Sequence, residues 1–546
     1  MDSKDFSHMS YDTQALDFDA IQRLLETFTL TPYGAAAARD LEPPTSIAIA
    51  RKMQRSVTAA REALEAGDVP ALKEVPNIRP ALRQVTTGSA LLSASALLHI
   101  QQVMEMAASL EPMLHKYPPL FAENMGDIKP APELLRRLGD SISTKGQIRP
   151  EASPELQKAW AQYIAAKRLI EEKAAELIKK EPFKEAVVAG KPIYWRGARL
   201  VLVIRATAVE LVKGVRCGSL MSPQEQLVEP IELIGVNNQL ERLSGAIHME
   251  EQQVLREISE ELRNHAEALE RLLDVITWID LAVAGGKLSA QLSAHAPTLT
   301  EDQELHLNEA YHPLLIMQYI QGTLPRPVSL SLKLNNRHPY LLVTGPNAGG
   351  KTIALKTVGL LTLMAMCGLH IPAEGDCKIG WYSHVLVDLG DKQSLYHHLS
   401  TFAAQVEMMK RMLNHAADNA LLLFDELGSG TDPDEGAALA MAMLDELIAR
   451  GSYGMVNTHL SPLKDYSNTR PKVQNACMLF DKETLTPTFK LKLGETGESY
   501  GLTIASKNGL PAEVIDNARV YLKSFQDAVF REALEEDAGD LKNGTR

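Results

Sequence analysis

Gly345-Pro346-Asn347-Ala348-Gly349-Gly350-Lys351-Thr352 stands between an apolar run, Tyr340-Leu341-Leu342-Val343-Thr344, and a proline-free apolar segment from Ile353 to Met366. The stretch satisfies the pattern G-x-x-x-x-G-K-[ST], and its flanks predict the strand and helix which that pattern needs on either side. Glycines at 345, 349 and 350 let the backbone curl so that N–H groups point inward, and the helix that follows aims its positive end at the same spot. Phosphates are expected there. Gly345, Asn347, Gly349 and Gly350 would form the cradle, Lys351 would reach the β- and γ-phosphates, and the Thr352 hydroxyl would ligate Mg²⁺.

Downstream, Leu421-Leu422-Leu423-Phe424-Asp425-Glu426 reads as an apolar strand ending in two carboxylates, at a separation from Lys351 that suits a parallel α/β sheet. Asp425 is expected to hold Mg²⁺ through its water shell, and Glu426 to face the γ-phosphate and orient or deprotonate the attacking water. A turn-rich loop, Leu427 to Gly436, then leads into a helix expected from Ala437 to Ala449 and suits contact with a second subunit. Beyond it, the short strand Gly454 to Thr458 ends at His459, placed to sense the γ-phosphate. Phosphate loop, carboxylate pair, Asp432 loop and strand-end histidine together describe an ABC-type ATPase, in which two nucleotide domains close face to face around ATP. Such enzymes carry Leu-Ser-Gly-Gly-Gln, which is absent; Leu399-Ser400-Thr401-Phe402-Ala403-Ala404-Gln405 stands in the expected region.

The chain has 546 residues, 45% of them hydrophobic and 23% charged, which suits a soluble protein of about three domains. A net charge of −13 argues against nucleic-acid binding over the whole surface and leaves room only for local basic patches. Cys217, Cys367, Cys377 and Cys477 form no C-x-x-C pair, so neither a zinc site nor a disulfide framework is expected, and a cytoplasmic location fits. The N-terminus has no apolar core behind Met1-Asp2-Ser3, and the longest apolar run, Val358 to Leu369, is too short to span a bilayer.

Taken in order, the sequence predicts a multidomain protein. Residues 1–130 read as an N-terminal α-helical domain, and 131–297 as a helical core and lever, with a helix start at Ser153-Pro154-Glu155 and a long apolar stripe from Asn237 to Ala284. Inserted at about 183–232 is a small β clamp-like element, with strands read at Ala198 to Arg205 and Val209 to Val212. From Phe183 to Arg216 seven basic residues face two acidic ones, a local charge of +5, with Tyr194 and Trp195 among them. Lys191, Arg196, Arg199 and Arg205 are the candidate nucleic-acid contacts. A solvated hairpin face is the other reading of the same residues. Residues 298–521 form the α/β phosphate-loop ATPase domain, and 522–546 a polar tail.

The ATPase motifs, with Ser400-Thr401-Phe402, Asp425 to Thr431 and Thr458-His459, resemble those of the MutS family. Thr431 to Ala440, Gly368-Leu369-His370-Ile371-Pro372-Ala373, Asp391-Lys392-Gln393-Ser394 and Gly509-Leu510-Pro511 are similar to its second bacterial group, MutS type II. The likeness extends to Leu16-Asp17-Phe18 and Asn77 to Leu82. It implies a homodimeric, Mg²⁺-dependent ATPase clamp that binds branched or structured DNA in recombination or repair, with Ser400 reaching the partner's γ-phosphate as a catalytic residue beside Glu426 and His459. That group is also associated with stalled ribosomes, so a ribosome-associated ATPase is the alternative. Type II proteins usually continue into a coiled region and an Smr nuclease domain, whereas this chain stops about 25 residues after Tyr521, so endonuclease activity is not expected. Only about 340 residues precede the phosphate loop, so the mismatch-reading domain is not expected either. The Phe-x-Glu matches at Phe121-Ala122-Glu123 and Phe183-Lys184-Glu185 are read as chance.

Overall fold

The computed structural model describes residues 9–524 except 69–70, 89–90, 121–127, 220–221, 223, 347–348, 391–400, 482–483, 485, 498–500 and 508. Four apolar runs, Tyr340–Thr344, His384–Asp388, Ala420–Asp425 and Tyr453–Asn457, are buried along their whole length, as strands covered on both faces must be. They lie parallel within a seven-stranded sheet whose spatial order is Ser10–Tyr11, His384–Asp388, Ala420–Asp425, Tyr453–Asn457, Tyr340–Thr344, Val473–Asp481 and Thr486–Leu493. Only the last pair is antiparallel. The helix Lys351–Met366 is apolar almost all round and correspondingly buried, packing between this sheet and the rest of the core.

One edge of the sheet comes from the far end of the sequence. Ser10 and Tyr11 pair with His384 and Val385, and the Asp12 carboxylate accepts from the Val387 N–H at 2.9 Å and from Arg411 at 2.8 Å. Leu16, Phe18, Ile21 and Leu25 then bury themselves in the same core as the Lys351–Met366 helix. The helices up to residue 142 therefore divide between two cores. The second joins Ile78, Leu82, Leu97, Ile100, Leu134 and Leu138 to Val254–Val283 of a single long helix, Ile231–Gln291.

That helix has 61 residues and is about 90 Å long at 1.5 Å per residue. It pairs with Pro154–Leu177, whose start is capped as expected by the Ser153 hydroxyl accepting from the Leu156 N–H at 3.1 Å. Between the two helices in sequence lies a four-stranded antiparallel sheet in the order Ile193–Arg196, Arg199–Arg205, Glu225–Pro230, Gly214–Ser219. Leu200, Leu202, Ile204 and Val228 on one of its faces pack on Ile170, Ala174, Leu233 and Leu240 of the paired helices. Val209 to Val212, expected as strand, is instead a 3₁₀ turn, Ala206–Leu211, and its end. Its apolar residues fill the core from a connection: Val209 and Val212 are buried, while Leu211 is exposed. Phe183 of the second Phe-x-Glu match is buried in this core too.

Two helix limits also differ from the sequence reading. The helix expected from Ala437 begins at Pro433, because Asp432 caps it by accepting from the N–H groups of Asp434 at 3.0 Å and Glu435 at 3.4 Å, with proline at the first helical position. The stripe expected over Asn237–Ala284 is continued at both ends. No helix among the described residues is long and apolar enough to cross a membrane.

His370, within the Gly368-to-Ala373 run, is a core staple: Ser289 Oγ lies 2.7 Å from its Nδ1 and Thr58 Oγ1 2.9 Å from its Nε2. Burial lowers its pKa from about 6.5 to about 4, and His312 is lowered to about 4 for the same reason. The unfolded chain takes up these protons near pH 6.5 and the native one not until near pH 4, so each histidine's contribution is intact above pH 6.5 and lost as pH falls toward 4. The slope is about 1.4 kcal/mol per pH unit for each. Urea midpoints should therefore fall between pH 6.5 and 4.5, and the His370→Gln chain should show a shallower decline than the parent. Parallel declines would remove His370 from this role.

Candidate active site

The C-terminal ends of three adjacent strands and the loop after a fourth meet at one place. The loop leaves the strand Tyr340–Thr344 through Gly345 at φ 130° and enters its helix through Gly350 at φ 92°, a left-handed conformation that a side chain would strain. Lys351 is 2% exposed, and its ammonium donates to the Gly345 carbonyl at 2.6 Å. Burial holds that ammonium below the ordinary lysine range, against the pull of Asp425 and Glu426.

Thr352 Oγ1 donates to Asp425 Oδ2 at 2.5 Å, and Asn457 Nδ2 donates to Asp425 Oδ1 at 2.9 Å. Both oxygens of Asp425 are thus fixed, and it presents with the Thr352 hydroxyl a pair of hard oxygen donors. Such donors fit Mg²⁺, which takes oxygen ligands in a tight octahedral shell.

Glu426 adopts φ 65°, unusual for a residue with a side chain and of the order of 1–2 kcal/mol in cost. Three bonds impose it: its N–H donates to the Asn457 carbonyl at 3.0 Å, and its carbonyl accepts from Gln405 Nε2 and the Ser429 N–H, both at 3.1 Å. The turn swings the carboxylate away from Asp425, so that Glu426 Oε1 lies 3.2 Å from His459 Nε2, with both side chains partly exposed. The two adjacent carboxylates therefore serve different partners. Gly428 and Gly436 close the following turn so tightly that a Cβ on the first would lie 2.4 Å from the carbonyl of the second.

Gly345, Gly349, Gly350, Lys351, Thr352, Asp425, Glu426 and His459 are brought to this one site. Asn347 and Ser400 lie outside the described residues, as does Asp391 to Ser394. Asn457, Gln405 and Asp388 were missed. Asp388 is buried at the end of the neighbouring strand with Oδ2 unpartnered among the described residues, and burial, with a further contribution from Asp425, raises its carboxyl above the usual range against the opposing Gly390 N–H. A polar residue closing an apolar strand was the available signal for both Asn457 and Asp388.

Beside the phosphate loop opens a cleft of about 300 Å³, lined by His312, Leu324, Val328, Ile353, Thr357 and Phe489. Phe489 sits at φ 58° and would lie 3.0 Å from a Cβ on Gly350, so the last strand of the sheet, Thr486–Leu493, forms one wall of the cleft. No sequence motif marks these residues as a group, because they come from loop positions, the helix Lys351–Met366 and a strand that meet only in the fold.

The basic sheet at the far end of the long helix is less uniform than its composition. Arg199 is engaged by three groups: Glu229 at 2.6 and 3.2 Å, Asn238 at 2.8 Å, and Glu241. Glu229 is 4% exposed and also accepts from Asn237 Nδ2 at 2.8 Å, so Arg199 neutralises a buried carboxylate and drops out of the candidate contacts. Trp195 is half-buried against the paired helices, with Lys167 5.3 Å above its ring. Lys191, Arg196 and Arg205 are exposed, with the strand pairing putting Lys191 and Arg205 toward one end of the sheet and Arg196 at the other.

Residues 341–526 match the model of MutS domain V. Over 515 residues the chain is 33% identical to the Endonuclease MutS2 of Leuconostoc mesenteroides, an alignment that covers 92% of this chain and 63% of that protein. It is 35% identical over 517 residues to the Endonuclease MutS2 of Thermus thermophilus, covering 93% and 65%, and 32% identical over 534 residues to that of Symbiobacterium thermophilum, covering 94% and 64%. The chain thus spans a little under two thirds of the length of the curated relatives it matches.

Proposed function

Because this chain belongs to the MutS family, we propose that it is an ATP-hydrolysing protein which grips structured DNA as a homodimer, ATP switching grip and release in recombination or repair. The observation that carries the proposal is the divergence of two adjacent carboxylates: Asp425 toward Thr352 and Asn457, and Glu426 toward His459. ATP would lie with its phosphates against the loop from Gly345 to Thr352 and its base in the apolar cleft between Val328, Ile353 and Phe489. Thr352 and Asp425 would hold Mg²⁺, whose chemistry when bound is to neutralise the charge that builds on the β- and γ-phosphates.

Within that frame the protein's own groups have separate tasks. Lys351 supplies a positive charge in a dry setting, where it acts more strongly than in water. Glu426 accepts the proton of the attacking water, and His459, within hydrogen-bond reach of the same carboxylate, sets its orientation and reports on what binds there. The exposed turn after Glu426, from Gly430 to Asp432, faces outward and suits a second copy closing over the nucleotide, the setting in which Ser400 would act on the partner's ATP.

Lys351→Ala should abolish tight binding of a fluorescent ATP analogue, since it removes the one buried cation of the cradle. Retained affinity would overturn the phosphate assignment. For DNA, replacing Lys191, Arg196 and Arg205 by Glu together should weaken binding while leaving basal hydrolysis nearly unchanged, the sheet being at the other end of a helix about 90 Å long. For every DNA phosphate that is no longer neutralised, the salt slope of duplex binding should fall by about 0.9. Unchanged slopes with loss of ribosome pelleting would favour the ribosome-associated reading, and no effect on either would leave the sheet a solvated surface.

A further inference from the structure

Away from the nucleotide, three potential metal ligands converge. His384 opens the strand His384–Asp388, His415 closes the helix Thr401–His415, and Asp418 lies in the turn that follows it. One ligand atom from each residue lies within 4.8 Å of those from the other two. The His384 and His415 rings are 4.3 Å apart between centroids, and His415 Nδ1 is 3.8 Å from Asp418 Oδ2.

His384 is the informative member. It is 3% exposed, and its buried Nδ1 finds no hydrogen-bond partner among the described residues. An unsatisfied polar atom in the interior is costly, and an imidazole nitrogen there without a partner asks for a ligand. Arg411 does not compete for the place, being held by Asp12 at 2.8 Å and Ser10 at 3.0 Å.

We propose that His384, His415 and Asp418 bind a divalent transition metal ion of the zinc class at the end of the central sheet where the strand His384–Asp388 begins. Two imidazoles and one carboxylate match the borderline-soft preference of zinc and do not suit Mg²⁺, which prefers an all-oxygen shell. Tetrahedral zinc at its usual bond lengths sets ligand atoms about 3.4 Å apart, so the cluster must close by roughly an ångström. His415 at a helix end and Asp418 in an exposed turn are free to turn inward onto the fixed His384. The ion would tie the start of one strand to the end of the helix leading to its neighbour. It would be distinct from the nucleotide's Mg²⁺, because Asp388, four residues along the same strand, marks the other end of the sheet about 13 Å away.

The test begins with the full chain stripped by chelator and titrated with Zn²⁺, and separately with Co²⁺, in excess Mg²⁺. One equivalent that excess Mg²⁺ does not displace is expected, with Co²⁺ showing the intense visible absorption of a tetrahedral ion. His415→Gln combined with Asp418→Asn should weaken that equivalent by at least about 100-fold, with ATP binding retained as the check on folding. X-ray absorption of the zinc-loaded parent should read two imidazole ligands per ion, which needs no variant. Failure of the parent to bind one equivalent, undiminished binding by the double variant, or a spectrum without two imidazoles would each overturn the proposal.

Discussion

Glu426→Gln should bind ATP as tightly as the parent and hydrolyse it about 100- to 10,000-fold more slowly, the range a positioned general base contributes. The substitution keeps the length and shape of the side chain and leaves untouched the backbone bonds to Asn457, Gln405 and Ser429 that impose the left-handed turn. It removes the charge that accepts a proton and that attracts His459. Lys351, Thr352 and Asp425 are unaltered, so the nucleotide stays, and the variant should accumulate as an ATP-bound, closed dimer. Single-turnover hydrolysis beside nucleotide affinity separates the outcomes: equal rates would remove Glu426 from the chemistry, and a fall in affinity would make it a binding residue.

Arg199→Ala is expected to have the largest structural effect in the basic sheet. It leaves the carboxylate of Glu229 buried with, among the described residues, only Asn237 to satisfy it, and breaking such a pair from one side costs about 3–5 kcal/mol. The destabilisation should be local. Proteolysis and amide exchange should speed up over residues 193–230, while ATP hydrolysis at the other end of the long helix continues. Arg205→Ala, which removes an exposed cation, should change neither by much. Replacing Arg199 and Glu229 together with methionine should recover most of the stability, since an apolar pair of similar volume is often neutral in place of a buried ion pair. If Arg199→Ala and Arg205→Ala behave alike, the buried ion pair contributes little.

These two arginines show what could be read from the sequence. The phosphate loop, Asp425, Glu426 and His459 were legible because a short motif and an apolar strand fix where each side chain goes, whatever the remainder of the chain does. Arg199 was not, because its partners are 30 and 42 residues away, on another strand and on the long helix. Counting charges along the chain gave +5; only pairing reveals which of them are already used. The cleft beside the phosphate loop was hidden for the same reason, with Val328, Ile353 and Phe489 on separate elements. The sheet between the helices was expected, but not its turn at Ala206–Leu211: apolar residues in a buried connection look like a strand when no partner strand is known.

The pairing of Ser10–Tyr11 with His384–Val385 has a consequence for synthesis. Tyr11 leaves the ribosome more than 370 residues before the strand it pairs with, an interval of roughly 20–75 s at 5–20 residues per second. Through that time Leu16, Phe18, Ile21 and Leu25, which end in the core around the Lys351–Met366 helix, have no permanent place to go. The nascent chain must keep this sticky apolar segment out of trouble while the second core, built from helices before residue 142 and closed by Val254–Val283, forms behind it. Chaperone capture should therefore peak on chains arrested before residue 384 and subside once that strand has emerged.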